Sequence, residues 1–212
     1  MKIALINENS QAAKNEIIFN TLKSVVEPMG HEVFNYGMYT AEDDNQLTYV
    51  QIGLLASVLL ESGAADYVVT GCGTGTGAML ATNSFPGVLC GHIVDPADAF
   101  LFAQINDGNA IALPFAKGFG WGAELNLQYI FERLFGTPGG SGYPTDRVAP
   151  QQANKKILDG VKAVTHNDIV HIIENLEDAF VKSALGGPKF EEYFFANCKD
   201  EKIADAVKKA LA

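Results

Sequence analysis

Five short β-branched runs, at residues 2–6, 31–34, 66–70, 88–94 and 110–113, alternate with segments whose apolar residues recur at helical spacing. This alternation limits the fold more than any other feature. Each crossover has to return over the sheet and bury an apolar stripe, so the pattern calls for parallel strands with helices on both faces. Asn9 or Ser10 can cap a first helix that carries Ile18, Leu22, Val25, Val26 and Met29, and Gly30 stops it. Residues 49–60 are apolar almost all round, which places that helix between the sheet and a second element. Helices over 97–105 and 120–135 follow the last two strands. The expectation is an α/β fold, a Rossmann-like five-stranded parallel sheet sandwiched by helices, over residues 1–136.

Composition then shifts. Residues 137–150 begin in a glycine- and proline-rich stretch and read as a linker, with Arg147 near its end. Residues 151–212 contain no convincing strand, while Ile169, Ile172, Ile173, Leu176 and Phe180 mark one helical stripe and Ile203, Val207 and Leu211 another. This helical extension is too small to stand alone and is expected to pack on the sheet domain or a partner subunit, with Tyr193, Phe194 and Phe195 as docking contacts. Trp121, between Gly120 and Gly122 at the start of the last helix, could line a pocket or an interface if exposed, but a lone tryptophan is more often core.

Charge narrows the partners. Fifteen Lys and Arg against 25 Asp and Glu give a net charge of −10, which opposes counterion-release binding to nucleic acid. An anionic substrate would therefore need local compensation from backbone N–H groups or placed cations. No uncharged apolar run reaches about 18 residues, so no membrane span is expected. The opening Met-Lys-Ile-Ala-Leu-Ile-Asn-Glu turns polar too soon for a secretory segment, and the protein is read as cytoplasmic. Three cysteines, widely spaced, suggest neither a disulfide framework nor a zinc site. None of the four histidines pairs at a ligand spacing with cysteine or carboxylate, so no metal and no cofactor are expected. His92, near the carboxyl end of the fourth strand, faces a site only if the strand's alternation turns it that way.

The third strand leads directly into Gly71-Cys72-Gly73-Thr74-Gly75-Thr76-Gly77 and then a helix. Glycines at a strand-to-helix turn let backbone N–H groups approach an anion. The spacing matches neither the Walker A pattern nor the dinucleotide fingerprint, which also belongs after the first strand. Cys72 stands at the carboxyl end of its strand, where open α/β sheets place ligands and a helix N-terminus favours a thiolate. Removing a proton α to a carbonyl requires a base over the carbon and donors facing the oxygen as it gains charge. Cys72 followed by the amides of Gly73, Gly75, Thr76 and Gly77 supplies both, while Thr74 can contribute its hydroxyl or merely cap the helix. Cys90 and Cys198 are read as small buried hydrophobes. Glu8, at the end of the first strand, either orients a substrate hydroxyl or is a solvated acid capping the next helix.

The glycine loop, together with Asn83, Pro86-Gly87, Asn106-Asp107-Gly108-Asn109 and Ala112-Leu113, resembles the ribose-5-phosphate isomerase B and galactose-6-phosphate isomerase family over roughly residues 1–150. The resemblance implies aldose–ketose isomerisation through an enediol, without metal, in a homodimer or dimer of dimers whose site lies at the subunit interface. It assigns Cys72 as the base and Thr74 and the loop amides as the cradle of the enediolate, with Asn106 among the substrate contacts. The departures bear on substrate. An Asp-His pair that helps open the sugar ring in the family is matched here by Glu8 and Asn9, and a second histidine by Ile105. A phosphate-binding arginine is matched by Lys117, and Arg147 remains as a candidate anion ligand, in cis or from a neighbour.

Loss of both histidines suggests a substrate that is already open-chain or opens easily, and thinning of the arginines suggests a carboxylate in place of a phosphate. Residues 5–10, 34–37 and 117–122 resemble the branch that converts 4-deoxy-L-threo-5-hexosulose uronate to 3-deoxy-D-glycero-2,5-hexodiulosonate in glycosaminoglycan or pectin breakdown. A small acidic sugar is thus the expected partner. A pentose- or hexose-phosphate isomerase and a non-catalytic sugar-binding subunit are the alternatives.

Overall fold

The computed structural model describes residues 1–212. Five parallel strands form one sheet: β1 (Lys2–Ile6), β2 (Glu32–Asn35), β3 (Tyr67–Cys72), β4 (Cys90–His92) and β5 (Ala110–Pro114), in the order β2-β1-β3-β5-β4. Strand parity sorts the core cleanly. Ile3, Leu5, Val69, Ile111 and Leu113 face α1 (Asn15–Val26), α4 (Pro96–Leu101) and α5 (Ala123–Phe135). Ala4, Ile6, Val68, Ala110 and Ala112 face α2 (Tyr49–Glu61) and α3 (Thr76–Asn83). The α2 helix is buried along nearly its whole length, as its all-round apolar sequence requires.

The chain runs from β1 outward to β2 over one face and returns over the other to β3. The carboxyl ends of β1 and β3 therefore diverge at a topological switch point, the place where such sheets open a crevice. The β1 exit carries Asn7 to Asn9, and the β3 exit carries the glycine loop.

Several predicted boundaries move for local reasons. A 3₁₀ stretch, Asn9–Lys14, precedes α1, with the Glu8 side chain accepting the Ser10 N–H at its start. The fourth strand keeps only three residues, because the Leu89 carbonyl accepts both Asn109 and Ala110 N–H groups and breaks the ladder. The predicted 97–105 helix is α-helical only to Leu101; Phe102–Asn106 continues as a π-turn that Asp107 ends at φ +50°.

Beyond the sheet, α6 (Val148–Thr165) starts three residues earlier than predicted and has no buried residue. The remaining helices are α7 (Ile169–Asn175), α8 (Asp178–Ala184), α9 (Phe190–Asn197) and α10 (Glu201–Leu211). They enlarge the α2-side core: α7 and α8 pack on α2, and α10 packs on both. Tyr36, fully buried, meets Phe190 and Tyr193 edge to face at 6.3 and 5.8 Å, while Phe190 and Phe194 stack at 5.0 Å. Trp121, read as core, is instead completely exposed between Gly120 and Gly122. No helix is long and apolar enough to cross a membrane.

Candidate active site

Two strand ends build the site. Cys72 pairs in register with Pro114, and its carbonyl accepts the Phe115 N–H at 2.9 Å. The Gly73 carbonyl accepts from both Ala116 and Lys117 at 3.0 Å, which fixes the loop after β5 against the glycine loop. Gly71 lies so close to the Leu113 carbonyl and the Phe115 ring that no side chain fits there. Cys72 is 8% exposed, and its thiol has no hydrogen-bond partner within the chain. The thiol is thus left for chemistry, whereas Cys90, equally buried, has its thiol pushed up to about 12 by burial and stays protonated.

The amides that follow are also unused. The N–H groups of Gly73, Thr74 and Gly75 meet no acceptor, and α3 begins at Gly75, which has no side chain to cap it. Elsewhere along this edge a carboxylate fills the same role: Asp95 accepts the Ala97 and Asp98 N–H groups at the start of α4. Thr74 is exposed and its hydroxyl does not cap α3, so the capping alternative is set aside. Unpaired amides at a helix N-terminus beside a free thiol suit an oxygen that becomes an anion while a proton leaves the neighbouring carbon.

Gly75 holds this arrangement. Its φ is +77°, and a Cβ there would stand 2.8 Å from the His92 ring. Gly75→Ala is expected to lower turnover at least tenfold and to cost at least about 1–3 kcal/mol of stability, the range for a strained left-handed residue alone, since the same Cβ would also stand 2.9 Å from the Leu113 carbonyl carbon. Steady-state kinetics beside thermal unfolding checks this.

The other predicted residues divide. Lys117 is exposed, and its backbone N–H is bonded to the Gly73 carbonyl, which anchors this residue beside the loop. Thr76 is exposed at the first turn of α3, and Gly77 lies against the Tyr49 ring. Glu8 caps the 3₁₀ stretch that follows it, as one expectation had it, but it is not solvated: it is 2% exposed and receives both the N–H and the hydroxyl of Ser10. Asn9 donates its backbone N–H to the Leu47 carbonyl at 2.7 Å, and its side chain is free.

Asn106 and Arg147 are placed elsewhere. Asn106 ends the π-turn just before β5 begins, at the edge of the sheet opposite Cys72. Arg147 is exposed and unpaired at the start of α6, on a segment whose Gly140 and Gly142 amides bond the Ala103 and Gln104 carbonyls of that turn. Neither reaches the glycine loop of its own chain.

The structure also adds residues. Lys14 donates to the Phe115 carbonyl and to Gln11 Oε1 at 2.8 Å, and stands 4.6 Å over the Phe119 ring. The Gln11 amide nitrogen lies 3.8 Å from where a Gly73 Cβ would be. His92 Nε2 is 2.9 Å from the Thr74 carbonyl. Parity carried a signal for His92: it lies two residues from Cys90, which is buried on the α3 side, so both share that face. Nothing in the sequence marked Gln11 or Lys14, which reach the loop only through the β1 exit.

The ribose/galactose isomerase family model matches residues 3–130, and a second model, described as ribose-5-phosphate isomerase, matches residues 164–210. A crystal structure of a 4-deoxy-L-threo-5-hexosulose-uronate ketol-isomerase complexed with a tartrate is 59% identical, with a TM-score of 0.97 over 100% of this chain and 99% of that one. A ribose-5-phosphate isomerase from Vibrio parahaemolyticus is 54% identical, with the same TM-score and coverage. A ribose 5-phosphate isomerase from Thermotoga maritima is 25% identical over 71% of this chain and 96% of that one, with a TM-score of 0.54. The chain belongs to the ribose/galactose isomerase family and is a sugar isomerase.

Proposed function

We propose that the chain interconverts 4-deoxy-L-threo-5-hexosulose uronate and 3-deoxy-D-glycero-2,5-hexodiulosonate, with Cys72 as the base. The observation that carries the reading is the unpaired Cys72 thiol beside the unpaired amides of Gly73, Thr74 and Gly75. The thiolate takes the proton from C2 of the open-chain aldose. The electron pair forms the C1–C2 double bond, and the aldehyde oxygen, now an enediolate, is held by the amides. The proton then returns to C1 while the C2 hydroxyl proton passes to the C1 oxygen, which leaves a C2 ketone and a C1 hydroxymethyl group. Atoms balance, and the net change is an isomerisation.

A carboxylate substrate is supported by what surrounds the loop. The lysines anchored beside it are Lys14, already committed to the Phe115 carbonyl, and Lys117, whose backbone is bonded to Gly73, and no arginine of the same chain joins them. The 59% identical neighbour acts on this uronate and was crystallised with tartrate, a hydroxydicarboxylate. The 54% identical ribose-5-phosphate isomerase favours the second reading, a phosphopentose. Parallel measurement of kcat/KM on the uronate, ribose 5-phosphate and galactose 6-phosphate separates the two. The uronate is expected to be preferred by at least 100-fold, a margin of about 2.7 kcal/mol; preference for a phosphosugar overturns the substrate assignment.

A homo-oligomer with the site between subunits is part of the proposal. The α6 helix exposes Ile157, Val161 and Val164 at 64%, 51% and 86% on one face, with nothing of its own chain over them. Such a face suits a second copy, which would bring its Asn106 and Arg147 within reach of Cys72. Val161→Glu, placed where no monomer core is disturbed, is expected to dissociate the oligomer in sedimentation and to reduce turnover. A monomeric wild-type protein, or an active monomeric variant, contradicts this.

A further inference from the structure

His92 lies outside the proposed proton transfer, yet its ring is seated on the glycine loop. Its Nε2 is 2.9 Å from the Thr74 carbonyl oxygen, and the same ring atoms, Cδ2 and Nε2, are 2.8 Å from where a Gly75 Cβ would stand. A carbonyl only accepts, so Nε2 must carry the hydrogen, and Nδ1 has no partner within the chain. The Thr74–Gly75 peptide is planar and trans, so its C=O and N–H point in opposite directions. Drawing the Thr74 carbonyl toward His92 therefore turns the Gly75 N–H away from β4. That N–H meets no acceptor in the protein.

We propose that His92 is a positioning residue, which by donating Nε2–H to the Thr74 carbonyl aims the Gly75 amide at the oxygen that gains charge during isomerisation. The inference rests on the functional reading above but assigns a role to a residue that takes no proton from the substrate. His92 is well supported for it. The Asn83 side chain clamps the backbone of neighbouring Cys90 on both sides, accepting from Cys90 N–H at 3.0 Å and donating to its carbonyl at 2.8 Å. Phe102 fills the space over Gly91. The short strand is thus fixed immediately before the ring, and an oxyanion donor is effective only when its direction is set in advance.

The test compares His92→Ala with His92→Gln, whose amide nitrogen can occupy the place of Nε2. Removing an oxyanion donor outright costs about 10²–10³ in kcat, and a misaimed one is expected to cost less, about 10- to 100-fold, with KM within about twofold. In the glutamine variant kcat is expected to return to within about fivefold of wild type. A residue that merely filled space would not be rescued by a donor of different shape. An alanine variant with unchanged kcat, or a folded glutamine variant as slow as alanine, overturns the proposal. Amide NMR keeps it separate from the substrate assignment: the Gly75 cross-peak is expected to shift in the alanine variant and return in the glutamine variant, while that of distant Gly30 stays in place. If the wild-type protein converts none of the sugars, the functional reading has failed. An unmoved Gly75 peak in the alanine variant shows that His92 does not set this peptide.

Discussion

Cys72→Ser is expected to leave the protein folded and to lower turnover by about 10²–10⁴-fold, the usual contribution of a positioned general base. The change is small in volume. Cys72 lies at the end of β3 with its backbone held by β5, so the strand and the loop amides remain where they are. A hydroxyl gives up its proton far less readily than a thiol, so the variant keeps the shape of the site and loses the base. The amides still bind the substrate oxygen, and KM should change much less than kcat. Circular dichroism and the melting temperature establish that the fold survives. A variant that retains more than about a tenth of wild-type kcat assigns the proton transfer to another group.

The second large effect concerns the tail. Removal of residues 167–212 is expected to give an insoluble protein. Ile173, Val181, Leu185, Phe190, Phe194 and Val207 belong to the same buried cluster as Ala4, Ile6, Val68 and the inner face of α2. Each such side chain contributes roughly 1.5–3 kcal/mol by its burial, and the total stability of a domain is only about 5–15 kcal/mol. The truncated chain would also uncover Tyr36, now fully buried beneath Phe190 and Tyr193. Phe194→Ala tests the same packing within the full chain: Phe194 is fully buried, and its loss should cost about 3–5 kcal/mol. At roughly 2–4 °C per kcal/mol for a chain of this size, the melting temperature should fall by about 6–20 °C. A soluble truncation with an unchanged melting temperature would mean that the extension is an appendage and not part of the core.

The fold was legible because its signals are local and repeated. Period-two alternation in β1 and β3 assigns Ile3 and Leu5 to one face and Ala4 and Ile6 to the other, and the two cores divide along that line. The all-round apolar α2 announced two neighbours, and the tail helices supply the second. Where prediction missed, a long-range partner outweighed local preference. Asn109 takes hydrogen bonds that an extended β4 would have used. The 97–105 helix widens into a π-turn that leaves Asp107 in a left-handed conformation, which no helical pattern announces. Trp121 departs from the general burial preference of tryptophan and stands at full exposure between two glycines.

The site was legible where one segment builds it and obscure where several meet. Cys72 and the loop amides are contiguous, so strand, turn and helix start could be read together. Gln11 and His92 converge on that loop from two other strand exits, with Lys14 held on the adjoining Phe115 carbonyl, and the contacts involved are set by the sheet order β2-β1-β3-β5-β4. Asn106 and Arg147 show the reverse case. Their sequence context marked them as ligands, yet the fold sends them to the far edge, away from the glycine loop of their own chain.

The most direct test of the central claim is the isomerisation of the uronate in deuterium oxide, followed by proton and carbon NMR. A base that carries the proton between C2 and C1 exchanges it with solvent, so deuterium is expected at the new hydroxymethyl carbon in the wild-type product, with that conversion slowed about 10²–10⁴-fold in Cys72→Ser. Product free of deuterium, formed as fast by Cys72→Ser as by the wild type, would contradict the proton-transfer account and the role given to Cys72.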